Sequence, residues 1–337
     1  MSRAPSAVEI ADDARWLAQA LDANGAVVRL IEMTAAAYRA ASFLDDRMLQ
    51  GPVVIETRPF AEVAAVIPAG ARSDARWIFH IGHVGSTLVS RLLGELDGVL
   101  AVREPRILRD LATMPEDRRR GIMTDVGKLL SRTFADDQAA LVKATSFVSE
   151  IASELVPPGE RALFLTADPR TYIATILAGE NSLKELAALA GIRAQRMSGR
   201  VAGLVPGSSA PRLAAAAWAC EMTALEAAAD AMTDRHLLWA NFDALLEDIE
   251  TALHRIAEFF GFEAPAESVA AIARGPLMSR YSKALEFDYS PTLRRQLIDQ
   301  EIGAQGREID DALAMLERSA QESPLLARAL ARARPER

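Results

Sequence analysis

The chain has 337 residues and only one cysteine, Cys220, so neither an intrachain disulfide nor a cysteine-ligated metal site can be assembled from it. No run approaches the roughly 20 apolar residues that a membrane-spanning helix needs. The first 30 residues contain Glu9, Asp12, Asp13 and Arg15 and no continuous apolar core, so no secretory signal is expected there. Positive charge is in deficit: the formal net charge is −8 and the pI about 5.3. That excludes a broad basic surface for nucleic acid, while a local basic cleft for a phosphorylated cofactor stays open. The late arginines Arg328, Arg332, Arg334 and Arg337 read as a solvated end. The expectation is a soluble, cytoplasmic protein with no membrane and no nucleic-acid partner.

Half of the residues are hydrophobic and a quarter charged, a globular balance with enough apolar surface for one large domain or a domain plus an appendage. Abundant alanine favours helix. Residues 1–75 read as a helical N-terminal appendage. Ala11 to Ala23 and Val27 to Ser42 place apolar residues at helical spacing, punctuated by Asn24-Gly25 and Gly51-Pro52, and Phe60 to Ile67 suggests a further short helix. No catalytic pattern is visible there.

The character changes at residue 76, and residues 76–337 read as an α/β domain ending in a C-terminal helical segment. Trp77-Ile78-Phe79-His80-Ile81 suits a buried parallel strand. Gly82-His83-Val84-Gly85-Ser86-Thr87 follows, and then Leu88 to Gly94 at helical period. Strand, glycine loop and helix in that order aim backbone N–H groups and a helix N-terminus at a phosphate. Further strands are expected at Val99 to Val102, Ala140 to Val142, Ala162 to Thr166 and Leu237 to Ala240. Helices are expected between them, at Arg118 to Phe134, Phe147 to Leu155, Thr171 to Leu177, Arg212 to Met232 and Ile249 to Phe260. The alternation implies a doubly wound, mostly parallel sheet flanked by helices. Gly191 to Pro211, rich in Gly, Ser and Arg, reads as a lid or substrate loop.

The loop lacks the lysine of the usual nucleotidase pattern, in which Lys neutralises terminal phosphates and the next hydroxyl binds magnesium. Phe79 to Leu88 instead resembles the 5′-phosphosulfate loop of sulfotransferases that use 3′-phosphoadenosine 5′-phosphosulfate (PAPS). Three further segments fall in that family's order: Val102-Arg103-Glu104-Pro105, Leu163 to Thr175, and Trp239 to Gly261 with its Phe242-Asp243-Ala244-Leu245. The resemblance spans roughly residues 76 to 290. It implies a P-loop fold, PAPS as cofactor, no metal, and transfer of a sulfonate to a hydroxyl, or an amine, of a small-molecule or peptidyl acceptor.

Sulfonyl transfer of this kind needs a cradle, positive charge at the bridging oxygen and a base for the acceptor. The resemblance assigns the cradle to Gly82, His83, Val84, Gly85, Ser86 and Thr87. His83 stands where the family has Lys or Arg, so an imidazolium would serve the leaving phosphate. Glu104 would be the general base and Lys143 a cation at the transferring sulfonate. Thr175 keeps the hydroxyl of the 3′-phosphate segment, whereas Ala167 stands in place of its first arginine. Arg170, or Arg280, Ser282 and Lys283 from the late loop, would supply the remaining phosphate contacts. Two other readings are open: a phosphotransferase using ATP and magnesium, with Asp168 organising the ion, and a non-catalytic descendant that binds a nucleotide or a partner.

Overall fold

The structure is a computed structural model that describes residues 5–12, 14–280, 282, 288 and 290–333. Lys283 lies outside the described residues. Among the described residues eight strands run in chain order: β1 Trp16–Leu21, β2 Val27–Glu32, β3 Ile55–Pro59, β4 Arg76–His80, β5 Val99–Arg103, β6 Ala139–Lys143, β7 Arg161–Thr166 and β8 His236–Asn241. The last five form one parallel sheet in the order β5-β6-β4-β7-β8. Helices flank it, and the fold is α/β.

The central strands are continuous apolar runs because both of their faces are covered. Phe79 pairs in register with Phe164, and Phe164 with Trp239. Their rings therefore form a row across the sheet, with edge-to-face contacts at 5.9 and 4.9 Å. The chain leaves β4 to one side for β5 and β6 and returns to the other side for β7 and β8. The C-terminal end of β4 is thus a switch point, the place where open α/β sheets bind ligands.

The N-terminal region differs from the helical expectation. Residues 16–59 contain the antiparallel sheet β1-β2-β3, with the short helices Ala7–Asp12, Ala35–Ala40 and Phe60–Ala64 and the 3-10 turn Asp46–Gln50 around it. All six residues of β1 are buried, so the strand shows no polar alternation and its Ala/Leu-rich run mimics helical spacing. Asn24-Gly25 is the turn of the β1–β2 hairpin, not a break between helices. Gly25 takes φ +69°, and Asp22 Oδ1 accepts from the N–H groups of Ala26 and Val27 at 2.6 and 2.9 Å. The Leu21 N–H donates to Asp110 at 2.9 Å, tying β1 to the Arg106–Thr113 helix. One hydrophobic core joins this sheet to the parallel one.

The two ends of Gly191 to Pro211 differ from expectation, while residues 198–209 are the loop. Gly191 to Met197 belongs to the Glu180–Met197 helix, and Pro211 to the Ala210–Ala231 helix. The C-terminal segment is the long Pro291–Ala320 helix followed by Pro324–Ala333. Among the described residues no helix is long and apolar enough to cross a membrane.

Candidate functional site

The glycine loop leaves β4 through a left-handed turn. Gly82 and Gly85 have φ of +80° and +60°, and His83 has φ +54°. Among the described residues only His83 and Glu104 (φ +51°) combine a side chain with positive φ. Such backbone strain collects where a site is over-determined by its surroundings. His80 fixes the start of the loop: its Nε2 lies 2.9 Å from the Ala144 carbonyl, and its Nδ1 accepts the Gly82 N–H at 2.9 Å. That pattern assigns the neutral ring with its proton on Nε2.

Gly85 is the N-cap of the fully buried Ser86–Leu93 helix, whose first N–H groups have no intrahelical acceptor. Thr87 Oγ1 is buried and has no hydrogen-bond partner. A glycine loop leading into a helix N-terminus, with an orphaned hydroxyl beside it, fits an anion. The Phe242 ring rests on Gly85 so closely that a Cβ there would lie 1.9 Å from its Cζ.

Beyond the loop opens a cavity of about 330 Å³. His83, Gly85 and Thr87 line it together with Thr175, Arg280 and Ser282, so much of the expected cofactor set meets in one place. His83 faces the Glu180–Met197 helix, with Nδ1 3.4 Å from Ser182 Oγ and Nε2 3.9 Å from Glu185. Its ring stands edge-on to Tyr172 at 6.5 Å. The Tyr172 hydroxyl donates to the Ile81 carbonyl at 3.2 Å, and burial pushes the phenol well above its usual range. Thr175 donates to the Thr171 carbonyl at 2.7 Å and lies 3.5 Å from Arg294 Nη2. Arg294, from the Pro291–Ala320 helix, is ion-paired with Asp243 and stacks 5.2 Å over the Phe242 ring. Arg280 pairs with Asp288 at 2.8 Å. The Ser282 carbonyl accepts from the buried Arg91 at 3.0 Å, which ties Ser282 to the Ser86–Leu93 helix.

Three other residues of the stretch Leu163 to Thr175 turn elsewhere. Arg170 pairs with Asp310 on the surface and does not line the cavity. Ala167 is buried, its carbonyl accepting the Trp218 indole N–H at 2.9 Å. Asp168 caps the Pro169–Leu177 helix through the Thr171 N–H at 3.0 Å.

Glu104 and Lys143 form a second cluster. The Glu104 N–H donates to the Lys143 carbonyl at 2.7 Å, and the fully buried Lys143 ammonium pairs with the Glu104 carboxylate. Arg47 reaches the other Glu104 oxygen at 3.5 Å, grips Asp45 at 2.7 Å and stacks 3.3 Å over Phe43. The segment arrives there because Leu44 follows the edge of β5, its N–H donating to the Arg103 carbonyl at 2.8 Å. Arg103 in turn donates to the carbonyls of Tyr38, Arg39 and Ala41 at the end of the Ala35–Ala40 helix. Burial, and then the neighbouring Arg91 charge, push its guanidinium down to about 9, which leaves it protonated at neutral pH.

Glu104 and Lys143 do not line the cavity that His83 lines. Lys143 ends β6, the neighbour of β4, and Glu104 follows β5, one strand further out. At ~4.8 Å per strand, Glu104 stands about 10 Å along the sheet edge from the glycine loop. Phe43, Asp45, Arg47, Ser182, Glu185 and Arg294 carried no readable signal, since none stands in a motif or at a spacing that points to the site.

No family model matches the chain, and no curated protein does. Among solved structures it is similar to the sulfotransferase domain from the curacin biosynthetic pathway, at 12% identity and a TM-score of 0.41, over 67% of this chain and 89% of that one. It is also similar to mouse sulfotransferase SULT7A1 complexed with PAP, at 12% identity and a TM-score of 0.41, over 77% of this chain and 89% of that one. A likeness this distant assigns no residue and no activity; the fold class stands on the sheet order and the glycine loop themselves.

Proposed function

We propose that the chain is a PAPS-dependent sulfotransferase that moves a sulfonate onto a hydroxyl, or an amine, of a small-molecule or peptidyl acceptor. The observation that carries this reading is the pairing, along one sheet edge, of two sites. One is a glycine loop with the buried, unpartnered Thr87 hydroxyl. The other is the Glu104–Lys143 pair two strands away. PAPS supplies the sulfonate and a phosphate leaving group. Every other requirement falls to the chain.

The loop N–H groups with Ser86 and Thr87 hold the phosphate end, and the glycines let the backbone approach it closely. His83 adds a donor at the bridging oxygen, positioned by Ser182 and Glu185 on the facing helix. Glu104 takes the proton of the acceptor as its oxygen or nitrogen attacks. Lys143 orients the Glu104 carboxylate and places positive charge at the sheet edge. Catalysis is then mostly positioning and electrostatics, with no metal called for. The acceptor enters on the Glu104 side, where Phe43 and Arg47 form the rim.

The test is transfer of label from radiolabelled PAPS to a mixed pool of hydroxyl and amine acceptors, run with the wild type and Glu104→Gln. Label should appear with the wild type, fall by about 10²-fold or more in the variant, and need no magnesium. Transfer indifferent to Glu104→Gln, or label transferred only from ATP with magnesium, would sink the proposal.

A further inference from the structure

The Glu104 side of the sheet edge carries one more positive charge than its carboxylates balance. The Arg106–Thr113 helix begins just after Glu104, and the 3-10 turn Ser146–Ile151 begins just after Lys143. Both therefore lie beyond the C-terminal ends of β5 and β6, where open α/β sheets collect ligands. Arg109, from the helix, lies 5.7 Å over the half-buried Phe147 ring of the turn. Arg109 is exposed, and its guanidinium makes no ion pair or hydrogen bond among the described residues. Burial raises the Asp45 carboxyl and Arg47 outweighs that, with the charge of Arg109 adding to the lowering. Arg109 thus acts on the same rim as Arg47, which reaches Glu104.

The neighbouring cations are committed. Arg47 grips Asp45, and Arg106 pairs with Asp46 and Asp110. Arg196, 5.8 Å over the same Phe147 ring, pairs with Glu150 and Glu221. Lys143 answers Glu104. Around Glu104, then, Arg47, Lys143 and Arg109 stand against Asp45 and Glu104, and Arg109 is the surplus charge. A guanidinium over a ring keeps its in-plane N–H donors free. One surplus positive charge suits a monoanion, and the planar fork matches a carboxylate through two parallel hydrogen bonds.

We propose that Arg109 selects the acceptor: a small molecule that bears a carboxylate together with the hydroxyl or amine that receives the sulfonate. The carboxylate docks on the Arg109 guanidinium beside Phe147, while the nucleophile faces Glu104. Arg109 touches neither the sulfonate nor the attacking atom, so it acts on the choice of acceptor and not on the chemical step. The inference rests on the sulfotransferase reading and names its acceptor class.

The experiment measures transfer of label from radiolabelled PAPS by the full chain to two matched pairs, in which only the charge differs. The pairs are para-hydroxyphenylacetate with its amide and beta-hydroxybutyrate with its amide. The wild type should favour the acid in at least one pair by about tenfold in kcat/KM, between an exposed ion pair and a buried charge-assisted hydrogen bond. The difference should lie in KM and shrink in high salt. Arg109→Met should bring the ratio of acid to amide close to one, and Arg109→Lys should keep part of the preference. A merely structural loss would lower both members of a pair alike and leave the ratio unchanged. Equal use of acid and amide by the wild type, or a preference that survives Arg109→Met, overturns the role of Arg109 and leaves the sulfotransferase reading standing. Transfer to the mixed acceptor pool but to neither pair does the same. Transfer to no acceptor at all overturns both.

Discussion

Gly85→Ala tests whether the glycine loop and the Phe242 ring are packed as tightly as the structure shows. Two costs add. A Cβ at Gly85 would meet Phe242 Cζ, Cε2 and Cε1 at 1.9, 2.1 and 2.5 Å, against an ordinary contact distance of 3.4–4 Å. Either the ring or the loop must yield, and overpacking of this kind costs about 1–3 kcal/mol. The backbone at φ +60° adds about 1–2 kcal/mol for any residue with a Cβ. The expected loss is therefore about 2–5 kcal/mol, a large share of the roughly 5–15 kcal/mol that holds a domain folded. Urea unfolding followed by tryptophan fluorescence reads it directly. Gly121→Ala is the control, since Gly121 lies exposed in the Glu116–Leu130 helix with nothing within 4 Å of the new methyl group. Alanine there should stabilise by up to about 1 kcal/mol. Phe242→Ala removes the ring, so in G85A/F242A the steric cost vanishes and the backbone cost remains. The two substitutions should couple by about 1–3 kcal/mol. A Gly85→Ala protein within about 0.5 kcal/mol of wild type, or strict additivity in the double variant, would refute the reasoning.

Three further outcomes follow from the same geometry. Burial, reinforced by the charge of Glu221, pushes the Cys220 thiol up to about 12. Cys220 should therefore resist thiol reagents at neutral pH in the native protein and react promptly in denaturant; rapid native labelling would contradict its burial. Lys143→Met breaks a buried pair and should cost about 3–5 kcal/mol, whereas K143M/E104M should recover much of that loss in chemical denaturation. Equal losses in the two would argue against the pair. Burial raises the Asp45 carboxyl, but hydrogen bonds and charge from Arg47 outweigh it and hold the group below its ordinary 3.8. A carboxyl lowered on folding stabilises above its unfolded value, and the benefit disappears as pH falls through the folded one. Asp45→Asn should therefore unfold more easily than wild type at pH about 6 and equally at pH about 2. A difference that persists in acid would show that shape, not charge, matters at Asp45.

The parallel sheet was legible because its strands are unmixed apolar runs such as Trp77 to Phe79 and Leu163 to Leu165, each followed by turn chemistry. The glycine loop announced itself by Gly82 and Gly85, and both do adopt positive φ. The N-terminal sheet was not legible. β1 is buried on both faces, so its Trp-Leu-Ala-Gln-Ala-Leu run lacks the alternation that marks a half-exposed strand. The Asn24-Gly25 pair was the signal that points to a hairpin. Thr175 and Ser282, which line the cavity, were singled out through the order of segments, but their neighbours were not. Arg294 comes from a helix 119 positions beyond Thr175, and Arg47 lies 57 positions before Glu104, so only the tertiary fold brings them together. Arg170 sits near enough in sequence to suggest a phosphate contact, yet its place on the first turn of the Pro169–Leu177 helix turns it outward to Asp310.

The most direct measurement of the central claim is calorimetric titration of the purified chain with PAP, beside ATP with magnesium. The account predicts micromolar PAP binding, about −8 kcal/mol, with ATP and magnesium much weaker. Tight binding of ATP with magnesium and none of PAP would contradict it, leaving the fold in place and the sulfotransferase reading without support.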